Sequence, residues 1–167
     1  SSQEAIQLIK TGDTVATGGF VGIGFPEEVA IALKEQYLEN GKPEGLTLIY
    51  AAGQGDGSER GLNHLGHEGL VERVVGGHWG LVPELQKLAM ENKIAAYNFP
   101  QGVISHMYRD IAAGKPRTIT TVGLETFVDP RNGGGRLNEK TIEELVELIE
   151  FDGKSYLAYK TIPISVA

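Results

Sequence analysis

The chain contains no cysteine, which excludes disulfides, thiolate metal ligands and cysteine nucleophiles together. A reducing compartment is compatible with that, and a cytoplasmic setting is the expectation. Long apolar runs are missing too. None approaches the ~20 residues needed to cross a bilayer, and Ser1-Ser2-Gln3-Glu4 does not open a basic-then-apolar secretory leader. No membrane partner is expected. Basic residues are the minority, 15 Lys and Arg against 22 Asp and Glu, for a formal charge of −7. Broad contact with a phosphate backbone needs clustered positive charge, so nucleic acid is not expected as a partner either. What the chain has is apolar material for one core: 41% of its 167 residues are apolar and 22% charged. That composition describes a single globular domain over residues 1–167. The final stretch, Ala158-Tyr159-Lys160-Thr161-Ile162-Pro163-Ile164-Ser165-Val166-Ala167, is strand-like to its last residue, and the expectation is that the native chain continues.

Short apolar runs alternate with amphipathic segments. Thr14-Val15-Ala16-Thr17 reads as a strand closed by Gly18-Gly19, and residues 26–38 set Val29, Ala30, Leu33 and Tyr37 on one helical stripe. Pro26 suits the first turn of that helix. Leu46-Thr47-Leu48-Ile49-Tyr50 reads as a buried strand that ends in the glycine-rich Ala52-Gly53-Gln54-Gly55-Asp56-Gly57. The pattern then repeats, with strands at 71–75 and 94–97 and helices at 82–91 and 103–113. The expected fold is therefore α/β, an open and mostly parallel sheet with helices on both faces. Residues 145–151 and 155–159 flank Asp152-Gly153, a hairpin signal, although the first of these segments is also compatible with a helix. Residues 129–135 read as a loop.

Sheets of this kind bind ligands beyond the carboxyl ends of their strands, so the glycine loop after the first strand is the first candidate site. Glycine lets backbone amides approach a ligand closely. The spacing in Gly19-Phe20-Val21-Gly22-Ile23-Gly24 is the reverse of the dinucleotide fingerprint, and no Lys-Ser or Lys-Thr pair makes a phosphate loop. Glu27 and Glu28 already complement the positive end of the following helix. A tight turn that packs strand on helix stays open as the plain alternative. His64-Leu65-Gly66-His67-Glu68 is not a helical His-Glu-x-x-His pattern, and no metal site is expected. Asp129 before Pro130 reads as a turn former, and Trp79 as a packing residue. Nothing near Glu125 in sequence marks a partner for acid–base work.

Gly18-Gly19-Phe20-Val21-Gly22-Ile23-Gly24-Phe25-Pro26 resembles the Gly-Gly-Phe-x-x-x-Gly-x-Pro core of the first signature of family I coenzyme A transferases. The chain departs from it at Thr11-Gly12, where the signature has Asp or Asn followed by Gly or Asn, and at Thr17, which replaces an apolar residue. Further matches follow in order at Gly76-Gly77-His78-Trp79-Gly80, at residues 92–102, at Thr126-Phe127-Val128-Asp129-Pro130 and at Gly134-Gly135-Arg136-Leu137-Asn138. The resemblance runs from about Gly12 onward and is to the acetate or propionate type, in which two halves are fused; this chain resembles the N-terminal half.

The resemblance implies exchange of coenzyme A between a short-chain acyl-CoA and a short-chain carboxylate through a glutamyl-CoA thioester. It implies no cofactor beyond the thioester substrate, a homo-oligomer, and a nucleophilic glutamate in a C-terminal half that completes the site. Gln101 of Pro100-Gln101-Gly102 matches the family's oxyanion donor; a turn glutamine capping the helix start is the plain alternative. Gly18, Gly19, Phe20, Gly22, Gly24, Gly53, Gln54, Gly55 and Gly102 are the expected substrate-binding residues. Glu39-Asn40-Gly41 repeats a tripeptide found around the family's nucleophile, but it follows an amphipathic helix, and Gly41 reads as that helix's cap. Two other classes stay open: a phosphosugar isomerase-like or sugar-sensing domain, and a non-catalytic docking half.

Overall fold

The computed structural model describes residues 1–167. A single turn, α1 (Ser2–Ala5), leads to β1 (Thr14–Ala16) and α2 (Glu27–Asn40). These are followed by β2 (Leu46–Tyr50), β3 (Val71–Gly76), α3 (Pro83–Met90), β4 (Ala95–Asn98) and α4 (Gln101–Ala112). The chain closes with β5 (Arg117–Thr120), β6 (Val146–Phe151) and β7 (Lys154–Lys160). Strands β1-β2-β3-β4 form a parallel sheet in that spatial order, and β5-β7-β6 form a separate antiparallel sheet. Each parallel strand lies beside its predecessor on the same side. Crossovers of one hand therefore put α2 and α3 on one face, and the other face is left for α4 and the antiparallel sheet.

The core follows from that arrangement. All five residues of β2 are buried, as a strand covered on both faces requires. Leu48, Tyr50, Val74 and Ala96 point toward Leu33 of α2 and Leu85 and Leu88 of α3. Their neighbours Ile49, Val75 and Tyr97 meet Val103, Ile104 and Met107 of α4 together with Val146, Leu157 and Tyr159 of the second sheet. Each Ile or Leu buried this way contributes ~1.5–3 kcal/mol. Helices on both faces are thus present, but one face is completed by a second sheet whose edge strand β5 the sequence pattern did not reveal.

Local chemistry explains the boundaries. Pro26 sits at the cap position of α2, one residue before the helix, and Gly41 ends it at φ 72° with its N–H donated to the Tyr37 carbonyl (2.7 Å). Glu39-Asn40-Gly41 is accordingly the end of α2, the end remote from the loop that joins β1 to that helix. Helix α4 begins at Gln101, two residues before the expected Val103, because Pro100 with φ −58° presets the first turn. The segment 146–151 is a strand: Asp152 (φ 50°) and Gly153 (φ 73°) turn it back onto β7 with the paired positive φ values of a two-residue hairpin. Val166 bridges Val15 of β1 in parallel, and Ala16 N–H donates to its carbonyl (2.9 Å).

Asp129 does more than form a turn. Its carboxylate is fully buried and accepts from Glu125 N–H (2.9 Å), Arg131 N–H (3.0 Å), Arg131 Nε (2.9 Å) and Arg131 Nη2 (2.6 Å). The loop it ties carries Gly135, whose carbonyl accepts from Asn98 N–H (2.9 Å), and Leu137, whose N–H reaches the Ala96 carbonyl (2.9 Å). Residues 135–137 thereby cover the open edge of β4. The Arg131 guanidinium and the backbone donors hold the Asp129 carboxyl well below its ordinary value of 3.8. A carboxyl held low contributes stability above its unfolded value and loses it as pH falls through the folded one. Asp129→Asn should therefore melt below wild type at pH 7, and the gap should close as pH drops below 3.8, read by thermal unfolding across that range.

Tyr50 presents the opposite case. Its hydroxyl is buried without a hydrogen-bond partner, and burial pushes the phenol up. An unpaired buried hydroxyl costs ~1–3 kcal/mol. Tyr50→Phe should raise stability by about 1 kcal/mol, seen as a higher urea midpoint at unchanged slope; an equal loss would mean that the hydroxyl is satisfied in solution.

Candidate functional site

Four loops leave the carboxyl edge of the parallel sheet: residues 17–26 after β1, 51–61 after β2, 77–82 after β3 and 99–100 after β4, with Gln101 and Gly102 opening α4. The topology that places α2, α3 and α4 in sequence also gathers these loops at one edge.

The first two loops are tied by hydrogen bonds. Thr17 Oγ1 donates to Gln54 Oε1 (2.6 Å), and Gln54 Nε2 donates to the Thr17 carbonyl (2.9 Å). Gln54 is 1% exposed, so its side chain is a clamp within the protein. This accounts for Thr17, the departure from the family pattern. Val21 N–H donates to the Gly53 carbonyl (2.7 Å), while Phe20 and Ile23 exchange backbone hydrogen bonds of 2.9 Å. The turn between them holds Val21 at φ 57°, a conformation that a β-branched residue rarely adopts. Phe20 and Ile23 stand 62% and 78% exposed. Glu27, at the first position of α2, binds His64 Nε2 (2.8 Å) and accepts from Gly61 N–H (3.0 Å), which fixes the far end of the second loop against that helix.

The second, third and fourth loops meet through glycines. A Cβ on Gly55 would lie 2.2 Å from the Leu81 carbonyl oxygen. A Cβ on Gly77 would lie 2.0 Å from the Ala51 carbonyl oxygen and 2.8 Å from Gln101 Cγ. Gly77 lets the backbone after β3 fit between the loop after β2 and the start of α4, and it is the contact that positions Gln101. Trp79 is half-buried, donating from Nε1 to the Tyr97 carbonyl (3.1 Å), as a packing residue should.

Gln101 is exposed, and its side-chain amide makes no hydrogen bond within the chain; the start of α4 has no side-chain cap. The plain reading of Gln101 as a helix-capping residue is not realised. Contacts link Gln101 to the third loop, the third to the second and the second to the first. Phe20, Gly22 and Gly24 adjoin Gln101 only through that chain of contacts. At Gly18, Gly22 and Gly102 a Cβ would meet nothing within 4 Å and φ is not positive, so the fold leaves open space there. Two contributors escaped sequence reasoning. Val21 carries no composition signal, since its strain is a backbone property. Gly77 was visible only as part of Gly76-Gly77-His78-Trp79-Gly80.

The sequence profile of the family described as coenzyme A transferase matches residues 1–166. The chain is 46% identical over 167 residues to a caffeate CoA-transferase of Acetobacterium woodii, covering all of this chain and 32% of that protein. It is 44% identical over 169 residues to the acetate CoA-transferase YdiF of Escherichia coli K12, again covering 32% of the relative. A crystal structure of the YdiF acyl-CoA transferase from Escherichia coli O157:H7, a thioester complex with CoA, superposes at a TM-score of 0.95 with 44% identity, over 97% of this chain and 32% of that one. The chain thus spans about a third of the length of these relatives, and by the match across residues 1–166 it belongs to the coenzyme A transferase family.

Proposed function

We propose that this chain supplies the oxyanion donor and part of the acyl pocket of an enzyme that moves coenzyme A from a short-chain acyl-CoA to a short-chain carboxylate. The observation that carries this reading is Gln101: an exposed amide, free of internal hydrogen bonds, held by Gly77 at the carboxyl edge. A glutamate carboxylate from a C-terminal half attacks the thioester carbonyl. The tetrahedral oxyanion collapses to a mixed anhydride and releases the coenzyme A thiolate. That thiolate attacks the glutamyl carbonyl, freeing the acyl carboxylate and leaving a glutamyl-CoA thioester, which the acceptor carboxylate takes apart by the same steps in reverse. Each tetrahedral oxyanion needs a preorganised donor, and the Gln101 side-chain N–H provides it. Open space at Gly18, Gly22 and Gly102 supports close approach of substrate to backbone there. The thioester is the substrate, and these steps require no further cofactor.

A second acceptor class has a specific basis. The relative that acts on caffeate is as similar as the one that acts on acetate, so an aryl-acrylate acceptor is the alternative to a short-chain one. Coenzyme A transfer read on the full-length parent, with propionate and with caffeate as acceptors of acetyl-CoA, separates the two. Faster transfer to propionate is expected. No transfer to either carboxylate would overturn the reading, and this chain assayed alone should be inactive for want of the nucleophile.

In the full-length enzyme, Gln101→Ala should lower kcat by ~10² or more with an unchanged melting temperature; an unchanged rate would remove Gln101 from the mechanism. Gly77→Ala forces the new methyl against Gln101 Cγ and the Ala51 carbonyl. It should lower kcat in the same direction while also lowering the melting temperature.

A further inference from the structure

On the four loops of the carboxyl edge the ionisable side chains are Asp56, Glu59, Arg60 and His78, and of these only Arg60 and His78 can carry positive charge. Arg60 belongs to the exposed segment 56–60, which the bridge between Gly55 and Gly61 closes off from the rest of its loop. His78 lies on the inner side of that closure. It directly follows Gly77, the residue whose Cβ would touch Gln101 Cγ, and adjacent Cα atoms are only about 3.8 Å apart.

The imidazole occupies a seat made of glycine. A Cβ on Gly53 would lie 2.7 Å from His78 Nδ1, and a Cβ on Gly80 would lie 2.9 Å from His78 Cε1. Neither glycine has a positive φ, so the backbone does not require glycine there; the ring does. The Gly53 carbonyl also accepts Val21 N–H (2.7 Å), which hangs the turn bearing the exposed Phe20 and Ile23 on the residue that seats His78. His64 spends both ring nitrogens on Glu27 and Lys34. His78 is exposed, and neither of its nitrogens is bonded within the chain. A ring held in place with both nitrogens open is suited to meet a ligand.

We infer that His78 donates a ring N–H to the acceptor carboxylate, beside Gln101. The inference rests on the transferase reading and deepens it. In that reaction a free carboxylate leaves water for a site in a chain of formal charge −7, and a carboxylate that loses its hydration needs a donor in exchange. One carboxylate oxygen attacks the carbonyl of the glutamyl thioester and forms the C–O bond of the anhydride, while the C–S bond breaks and the thiolate leaves with the electron pair. The other oxygen accepts from His78 and becomes the anhydride's second carbonyl oxygen. No proton moves, so His78 binds and orients. The acyl-CoA substrate is uncharged at its carbonyl and makes no such demand, and Phe20 and Ile23 beside the seat suit the acceptor's short apolar chain.

The test uses the full-length parent. His78→Ala should raise KM for propionate about tenfold, with KM for acetyl-CoA and the melting temperature unchanged. His78→Phe, which keeps a ring between the glycines without a donor, should behave as His78→Ala does. Ethoxyformylation of His78 by diethyl pyrocarbonate, followed by peptide mass, is a readout without turnover: propionate should slow it, and chloride at the same ionic strength should not. An unchanged KM for propionate would overturn the assignment. So would equal rises for both substrates, which would place the ring against the thioester, or a wild-type KM in His78→Phe, which would make the ring a packing group. In a parent that transfers no coenzyme A the transferase reading fails; protection of His78 by propionate would then keep the carboxylate contact, and lack of protection would remove it.

Discussion

At the carboxyl edge of the parallel sheet, backbone touches backbone. The chain after β3 passes between the Ala51 carbonyl and the first turn of α4 with no room for a methyl group at Gly77, and Gly55 meets the Leu81 carbonyl in the same way. Side chains at these positions would push the loops apart by more than the few tenths of an ångström that a packed structure absorbs. The placement of Gln101, the closure of the second loop over the third and the arrangement of the whole edge all depend on this contact. The glycines at these positions are therefore needed for the loops to pack against one another.

Two glutamines on that edge show how tertiary context leaves one amide buried and bonded and the other exposed and free. Gln54 is buried, and both ends of its amide are bonded to Thr17, so its side chain joins the first two loops. Gln101 stands exposed with its amide unengaged. A donor for a developing oxyanion must be rigidly placed yet unoccupied. In the proposed role of Gln101, helix α4 and the close approach at Gly77 supply the rigidity, and the absence of an internal partner leaves the amide free. Asp129 works on the structural side of the same balance: its buried carboxylate, satisfied by Arg131 and backbone N–H groups, holds the loop that shields the edge of β4.

Placing all crossovers of the parallel sheet on one face shapes the other face. The opposite face is shared by α4 and an antiparallel sheet, and a helix beside a sheet edge leaves a trough. The cleft between α4 and β5 is that trough. Gly102, Val103, His106, Arg109 and Asp110 of α4 line it.

The amino-acid sequence alone determined the local features. Alternating apolar runs gave β2 and β3 their place in a two-sided sheet. Gly41 and Asp152-Gly153 ended a helix and turned a hairpin, and the run from Gly18 to Pro26 carried the family resemblance. These signals lie within a few residues of one another, where helix and strand periods and turn preferences act. Tertiary structure alone decided that β5 joins β7, that Gln54 is buried against Thr17 37 residues away, that Asp129 is a buried charge and that Thr118 lines a cationic cleft. Each of these depends on which distant segments share a face, and a pairing across tens of residues leaves no periodic trace in the chain that makes it.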